Sequence, residues 1–415
     1  MRSRGRSARS FDWGSPGRAK PVRAHDETNV TQVIRTTVAD VDLDAVAANT
    51  RAVRELSGVD VIAVVKADGY GHGAEAVAEA AIDAGAAALA VATVEEAVVL
   101  RRTRPHDPLL VLLGAQEQSE RDAAVEHDLA VTVWDVDAAR AMGEAARAAG
   151  KTAVLHFKVD TGLTRLGAPL AEAADRYRAI GRLAGVRVDG VFTHLARGDE
   201  ADLATTAQQL DRFDTFLDAI TPPRWVHASA TGGLASLAPR ARVTAVRPGL
   251  ALYGLDAAPH LAARLRLRPA LAWRSKVHRA ADVPKGTGVS YGHEYRTPRD
   301  GRIATVPVGY GDGLSRLAQG ASFLLHGIAV PIAGRVAMDH VMLDVTDVGD
   351  VKAGDEVVMI GTQQGATLTA DDLARAWGTI NYEVVTAIKP RVPRRYLRGG
   401  RLVATKTLAD GYQRC

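Results

Sequence analysis

The chain of 415 residues is 47% hydrophobic and 24% charged, a composition typical of globular proteins that fold in water. Its single cysteine is the last residue, Cys415, which excludes an internal disulfide and a cysteine-based metal site and fits a reducing cytoplasm. The formal net charge of +4 comes from the first 30 residues, with seven basic and three acidic side chains, so residues 31–415 carry no excess positive charge for a nucleic-acid partner.

Residues 1–32 are predicted to form a basic, disordered tail, because they are rich in Arg, Ser, Gly and Pro. They lack the apolar core of a secretory signal. No apolar run in the chain approaches the ~20 residues that span a bilayer, so no membrane partner is expected. The tail is interpreted as a solvated extension or an over-long start; a weak nucleic-acid or targeting arm is the alternative.

Between about residues 36 and 250, short apolar runs alternate with alanine-rich amphipathic stretches. Unbroken apolar runs are typical of buried parallel strands, and strand–helix alternation implies right-handed crossovers. Eight such units predict a (β/α)₈ TIM-type barrel over residues 33–268, with a doubly wound open sheet as the alternative. The predicted strands are residues 61–65, 88–92, 109–113, 129–133, 154–157, 188–193, 225–227 and 244–246.

The pattern changes near Leu265, after which strand-like segments follow one another across short turns. This pattern predicts a second, mostly antiparallel β domain over residues 269–405, with one helix near residues 369–377 and a tail at 406–415. The predicted strands are residues 272–278, 302–308, 322–326, 330–332, 341–345 and 356–360.

Chemically unusual side chains follow five of the eight predicted barrel strands. The carboxyl ends of all strands meet at one face of such a barrel, and active sites are built there. Solvated loop residues rarely fall in this way after five strands. The sequence therefore predicts a site at this face, formed from Lys66, Lys158, Asp160, His194, Ser229, Thr231 and Arg247.

Lys66 ends an apolar β-branched run and precedes a glycine-rich turn that carries Tyr70. A buried lysine amine has a lowered pKa and forms Schiff bases with carbonyl cofactors. The loops after strands seven and eight of these barrels commonly bind phosphate, and here they contain Thr231 and Gly249. These features indicate a cofactor with a carbonyl and a phosphate. Taken alone, the first motif is more typical of a strand that ends on a surface lysine and a turn.

Seven motifs in order make the chain resemble the alanine racemase family, from about residue 33 to 401. They are VVKADGYGHG, KVDTGLTRLG, VRPGLALYG, SYG, VPVGYGDG, GRVAMD and INYEVVT. The resemblance implies a barrel with a C-terminal β domain, pyridoxal 5'-phosphate as cofactor, and a homodimer whose two active sites are shared between subunits. It also implies interconversion of L-alanine and D-alanine, which supplies D-alanine for peptidoglycan.

The resemblance assigns two catalytic residues, Lys66, which carries the cofactor, and Tyr291, which reaches in from the partner subunit. The cofactor-binding residues that it implies are Lys66, Tyr70, His194, Thr231, Arg247, Gly249, Leu250 and Tyr382. Those implied for the substrate and its entrance are Arg165, Met338, Asp339 and Tyr310. Lys158 is expected to be carbamylated and to orient Arg165, and no metal site is expected.

Three features depart from the commoner family pattern. Thr231 stands where serine is usual, His340 stands where glutamine is frequent, and the loop at residues 196–200 is more basic than expected. Specificity for a methyl-sized side chain rests on a few contacts of ~1–3 kcal/mol, so a serine, lysine or broad-spectrum racemase remains an alternative. A barrel-type decarboxylase and a non-catalytic cofactor carrier are remoter alternatives.

Overall fold

The computed structural model describes residues 33–415, and the first of its two domains is the predicted closed barrel. Eight parallel strands pair in chain order, and the eighth pairs with the first. The prediction of a (β/α)₈ barrel is therefore confirmed and the open sheet is excluded. The strands are Asp60–Val64, Ala88–Val91, Leu109–Val111, Ala130–Val133, Ala153–Asp160, Val186–Phe192, Trp225–Ala228 and Ala245–Val246.

Helices surround the barrel, and polar side chains fix where several of them begin. Asp42 and Asp135 accept backbone N–H groups at helix starts, and Thr93 with Glu96 forms a capping box. The helices of this domain are Leu43–Ser57, Ala74–Asp83, Val94–Arg101, Gln118–Glu126, Val136–Ala148, Leu170–Ile180, Ala204–Asp218, Thr231–Ser236 and Ala262–Leu265. Short 3₁₀ helices follow at Leu250–Tyr253 and Pro259–Leu261. No helix within residues 33–415 is long and apolar enough to cross a bilayer.

The second domain is mostly antiparallel, as predicted. Its main sheet runs, from edge to edge, through Ile328–Pro331, Ser322–Leu325, Glu356–Gln363, Leu271–Lys276, Val38–Asp42, Arg394–Arg398, Arg401–Thr407 and Gly411–Arg414. Ala366–Leu368 pairs antiparallel with the end of Glu356–Gln363. A smaller sheet joins Arg279–Val283, Gly301–Val306 and Val341–Asp344, and a hairpin pairs Gly288–Val289 with Tyr295–Arg296. The helix predicted near residues 369–377 is present at Ala370–Trp377.

Both chain ends differ from the predicted domain boundaries. Val38–Asp42 lies in the second sheet, antiparallel to Leu271–Lys276 and parallel to Arg394–Arg398. Residues 406–415, predicted as a tail, contain Gly411–Arg414, which pairs with Arg401–Thr407. These strands are short and partly polar, because Asp40 and Asp42 lie in the first and most of Gly411–Arg414 is exposed. They therefore lack the apolar run on which the prediction relied. A helix at Asn381–Ala387 was also missed.

Candidate active site

A cavity of about 340 Å³ opens at the carboxyl ends of the barrel strands. Apolar residues, among them Val64, Leu113 and Phe192, form part of its wall. Ten of the residues singled out from the sequence contribute the rest: Lys66, Tyr70, Lys158, Arg165, His194, Thr231, Arg247, Gly249, Leu250 and Tyr382. Residues up to 316 positions apart in the chain thus meet in one cavity.

The backbone after Lys66 forms a left-handed turn. Ala67, Asp68, Gly69 and Tyr70 have φ angles of 51°, 52°, 61° and 51°. Left-handed backbone costs roughly 1–2 kcal/mol for each residue other than glycine, and such strain is concentrated at functional sites. Backbone hydrogen bonds from Gly69 to Val65 and from Gly71 to Ala67 close the turn. The turn brings both Lys66 and Tyr70 to the cavity.

Burial lowers the pKa of Lys66, and the positive charge of Arg165 lowers it further, while Glu96 opposes both. Glu96 also holds the start of the turn, because its carboxylate accepts the backbone N–H groups of Ala67 at 2.6 Å and Ala92 at 2.8 Å. A lysine with a lowered pKa is more often neutral, and the neutral amine is the form that attacks a carbonyl.

Arg247 is the most fully enclosed charge in the cavity wall, with 3% of its surface exposed. Its guanidinium donates to the carbonyl oxygens of His227 at 2.9 Å and Thr193 at 2.7 Å. It also donates to Nδ1 of His227 at 2.9 Å and Nδ1 of His194 at 3.2 Å. Burial lowers the pKa of Arg247 to about 9, so it remains protonated at neutral pH. The guanidinium is thereby fixed in one orientation.

The sequence reading missed His227 and His156, which lie behind Arg247. Nε2 of His227 is 2.8 Å from Nδ1 of His156. Burial, and next the charge of Arg247, lower the pKa values of His156 and His194 to about 3, so both rings are neutral. Every second side chain of a barrel strand points into the barrel. His156 and His227 lie on two such strands, and a histidine within each of these strands was the available signal.

Neutral donors gather on the other side of the cavity, around Thr231, Gly249 and two tyrosines. Oγ1 of Thr231 lies 3.3 Å from the backbone nitrogen of Gly249. A Cβ atom at Gly249 would lie 2.5 Å from Oη of Tyr70, so this position requires glycine. The rings of Tyr70 and Tyr382 are 6.3 Å apart, and burial raises the pKa of Tyr382 to about 12. These hydroxyls therefore stay protonated and can donate to an anion.

Lys158 and Arg165 lie on the fifth strand and in the loop after it. Burial, followed by Arg247 and Arg165, lowers the pKa of Lys158 to about 8. Its Nζ lies 5.5 Å from the Phe192 ring centroid, and in residues 33–415 it forms no salt bridge. Asp160 instead accepts the backbone N–H groups of residues 162, 163 and 164 and so fixes the turn that leads to Arg165.

Asp160 and Ser229, predicted for the site at the barrel face, do not line this cavity. The same is true of the four predicted residues of the second domain, Tyr291, Met338, Asp339 and Tyr310. Tyr291 is 71% exposed and Met338 is 52% exposed. Their loops contact each other, since Tyr310 donates its N–H to the carbonyl of Ala337 at 3.0 Å. Arg391 holds Asp339 at 2.6 Å. Together they form a second cluster on the surface of the same chain.

Comparison with known proteins agrees with this arrangement. Models of the N-terminal and C-terminal domains of alanine racemase match residues 41–257 and 270–396. The alanine racemase of Symbiobacterium thermophilum is 44% identical over 369 residues, which cover 88% of this chain and 97% of the relative.

Solved structures lead to the same family. The alanine racemase of Clostridium difficile 630 has a TM-score of 0.86 and 32% identity, with 91% of this chain and 99% of the other covered. That of Bacillus anthracis with bound L-Ala-P has a TM-score of 0.83 and 35% identity, with coverages of 91% and 98%. The two domain matches, the close relative and the shared fold together show that this chain belongs to the alanine racemase family.

Proposed function

We propose that this protein is an isomerase that interconverts L-alanine and D-alanine with pyridoxal 5'-phosphate as cofactor. The observation that carries the proposal is the single cavity in which Lys66, with a lowered pKa, faces a buried arginine and a group of neutral donors. Family membership supports the reaction, because the relatives with which the chain aligns over nearly their whole length are alanine racemases.

The residues present fit this cofactor. Gly249 leaves space beside the Tyr70 hydroxyl that a Cβ atom would fill. Tyr70, Tyr382, Thr231 and backbone N–H groups near Leu250 would hold the phosphate as neutral donors, while Lys66 would bind the carbonyl carbon covalently. When bound, pyridoxal phosphate withdraws electrons from the substrate and so acidifies the Cα proton.

Arg247, supported by His194, would face the pyridine nitrogen of the cofactor. A guanidinium has only donors, and here most of them are already directed at oxygen and nitrogen acceptors of the protein. It would therefore leave the ring nitrogen unprotonated, and electron withdrawal would be weaker than with a carboxylic acid at this position. This arrangement favours a simple return of the proton over decarboxylation or amino-group transfer.

Racemisation requires removal of the Cα proton from one face and its return to the other. Lys66 would serve one face, and Tyr291 of the partner subunit would serve the other. In support, Tyr291 and Met338 are exposed aromatic and apolar side chains, and so is Leu113 at the cavity rim. A homodimer in which each second domain covers the partner's cavity would bury these groups. Tyr310, Met338 and Asp339 would then line the partner's substrate entrance.

Arg165 would bind the substrate carboxylate, and a carbamate on Lys158 would orient it. The low pKa of Lys158 supports this modification, because only a neutral amine reacts with carbon dioxide. A carbamate would also place a negative charge between the guanidinium groups of Arg165 and Arg247.

The test is a racemisation assay of the purified protein with L-Ala, L-Ser and L-Lys in separate reactions, together with its absorption spectrum. Alanine is expected to react fastest, and the cofactor absorption band should disappear in Lys66→Ala. If serine or lysine reacts fastest, the mechanism stands and the substrate assignment changes. A bound cofactor without racemisation of any of the three amino acids would overturn the proposal in favour of a carrier or decarboxylase. The D-alanine formed would supply peptidoglycan synthesis.

A further inference from the structure

Lys406 of the second domain reaches the left-handed turn of the barrel that follows Lys66. Its Nζ lies 2.7 Å from Oδ1 of Asp68 and 2.8 Å from Oε2 of Glu75. Lys406 lies on the strand Arg401–Thr407, beyond the part of the chain that the family models match. The contact therefore joins the end of the chain to the segment that carries the proposed catalytic lysine.

Asp68 is the middle of that turn and is held at two points. Its side chain accepts the backbone N–H of Ala74 at 2.9 Å as well as the Lys406 ammonium. Its carbonyl accepts the N–H of Gly73 at 2.7 Å. Because Asp68 lies two residues from Lys66 and two from Tyr70, fixing its left-handed conformation also fixes the direction in which both side chains leave the turn.

A neighbouring residue holds the far end of the same segment. Arg394 is the residue directly opposite Lys406 in the paired strands, and its Nε donates to the carbonyl of Gly71 at 3.0 Å. The ring of Tyr396, on the same strand as Arg394, is so close to Gly73 that an added Cβ would lie 1.8 Å from its hydroxyl. The second-domain sheet thus contacts this segment at Asp68, Gly71 and Gly73.

Each partner of the ion pair favours the charged form of the other. Burial opposes ionisation of Asp68, but Lys406 and the bond from Ala74 outweigh it and hold the Asp68 pKa below its usual value. Burial likewise opposes the charge on Lys406, yet Asp68 and Glu75 together raise the pKa of Lys406. Removal of the ammonium would leave two carboxylates, each within 3 Å of its position, with only the weaker influence of Arg394 on Asp68 to offset their repulsion.

We propose that Lys406 is a positioning residue for the racemase site, which acts through Asp68 to hold the turn that presents Lys66 and Tyr70 to the cofactor. The expected effect of Lys406 on the binding of pyridoxal phosphate rests on the proposed function. The structural part of the inference, the support of the turn by Lys406, is independent of which reaction the enzyme performs. The second domain then serves its own subunit's cavity as well as the partner's.

The main test compares Lys406→Met with Lys406→Arg and with the matched control Arg414→Met. Arg414 is on the adjacent strand and binds Glu79 at 2.5 Å, outside the turn. In Lys406→Met the dissociation constant for pyridoxal phosphate, titrated into apoprotein, should rise on the order of tenfold, because a charge-assisted contact is lost. Lys406→Arg should recover most of the affinity, and Arg414→Met should stay within about twofold of wild type.

Two further measurements separate positioning from general stabilisation. Amide hydrogen exchange of residues 69–73 in the apoprotein should accelerate in Lys406→Met but not in Arg414→Met. In a double-mutant cycle, adding Asp68→Asn to Lys406→Met should raise the dissociation constant little further, because both variants remove the same contact. Wild-type exchange and cofactor affinity in Lys406→Met would overturn the inference. Failure of the wild-type protein to racemise amino acids would overturn only the proposed function, because the exchange measurement does not depend on activity.

Discussion

Arg247 donates to Nδ1 of His227, and this contact decides where the protons lie on two buried histidines. A guanidinium cannot accept a hydrogen bond, so Nδ1 of His227 is the unprotonated acceptor and its Nε2 carries the hydrogen. That hydrogen is donated to Nδ1 of His156, 2.8 Å away. The charge beside the proposed cofactor site is therefore supported by a chain of two neutral imidazoles with one defined tautomer each.

Arg247→Lys should weaken this support, because a single ammonium cannot donate to His227, His194 and Thr193 in the same geometry. The free energy of unfolding is expected to fall by about 1–3 kcal/mol, as buried acceptors lose their partners. Urea unfolding of the apoprotein measures this loss. Arg242→Lys, at an exposed pair with Asp218, is the control and should change stability by less than about 0.5 kcal/mol. Equal effects of the two variants would contradict the role of Arg247.

Tyr291→Phe should slow racemisation in both directions by about 10²–10⁴, because one of two proton-transfer groups is removed. Cofactor absorption and the oligomeric state should be unchanged, since the ring is kept. The measurement is the initial rate from L-alanine and from D-alanine. Tyr295→Phe, four residues away in the same hairpin and hydrogen-bonded to Asp344, is the matched control. A wild-type rate in Tyr291→Phe would rule out the two-base mechanism.

Thr231→Val should raise the dissociation constant of pyridoxal phosphate on the order of tenfold, because valine has the same shape without the hydroxyl. Thr231→Ser keeps the hydroxyl and should bind the cofactor nearly as well as wild type. Oγ1 of Thr231 also accepts the N–H of Ala251 at 3.2 Å, so a small loss of stability is expected in Thr231→Val alone. If Thr231→Val and Thr231→Ser have equal affinities, the hydroxyl does not contact the phosphate.

Because the pKa of Lys158 is lowered, the free energy of unfolding is expected to rise with pH in buffer free of carbon dioxide. The pKa of Lys158 is about 8 in the folded protein, below its ordinary value of 10.5, so the unfolded chain binds more protons between these values. The free energy of unfolding should therefore increase across pH 8 to 10.5, by at most about 3 kcal/mol from this residue. Denaturant unfolding of wild type and Lys158→Met over this range isolates the contribution. Lys276→Met, at an exposed position, should leave the pH slope unchanged.

Carbamylation of Lys158 is tested separately with ¹³C-bicarbonate. A carbamate carbon signal should be present in wild type and absent in Lys158→Met. Bicarbonate should also extend the rise in stability below pH 8, because the carbamate binds no proton in the folded state while the unfolded amine is protonated up to about 10.5. Identical stability profiles with and without bicarbonate, and no carbamate signal, would show that the amine is unmodified.

All eight barrel strands could be predicted because each is a buried apolar run, and the residues after them could be placed on one face because parallel strands share a direction. The last two strands of the second sheet could not be predicted, since Arg401–Thr407 has only three consecutive apolar residues and Gly411–Arg414 is mostly exposed. The left-handed conformation of Ala67 and Asp68 gave no signal either, because neither residue type prefers it strongly. Contacts between distant segments, such as Lys406 with Asp68, are invisible to local patterns.

Because of the strand Val38–Asp42, the order in which the strands are synthesised differs from the order in which they can pair. It precedes the whole barrel in the chain, yet its partners are Leu271–Lys276 and Arg394–Arg398, and Asp40 binds Arg395 across 355 residues. Closing a loop of this length costs conformational entropy, and contacts between distant residues slow folding. Within residues 33–415 this strand is the first, and it completes its pairing only after residues 394–398 have been synthesised. The sheet of the second domain is therefore completed later than the barrel, whose strands all lie between residues 60 and 246.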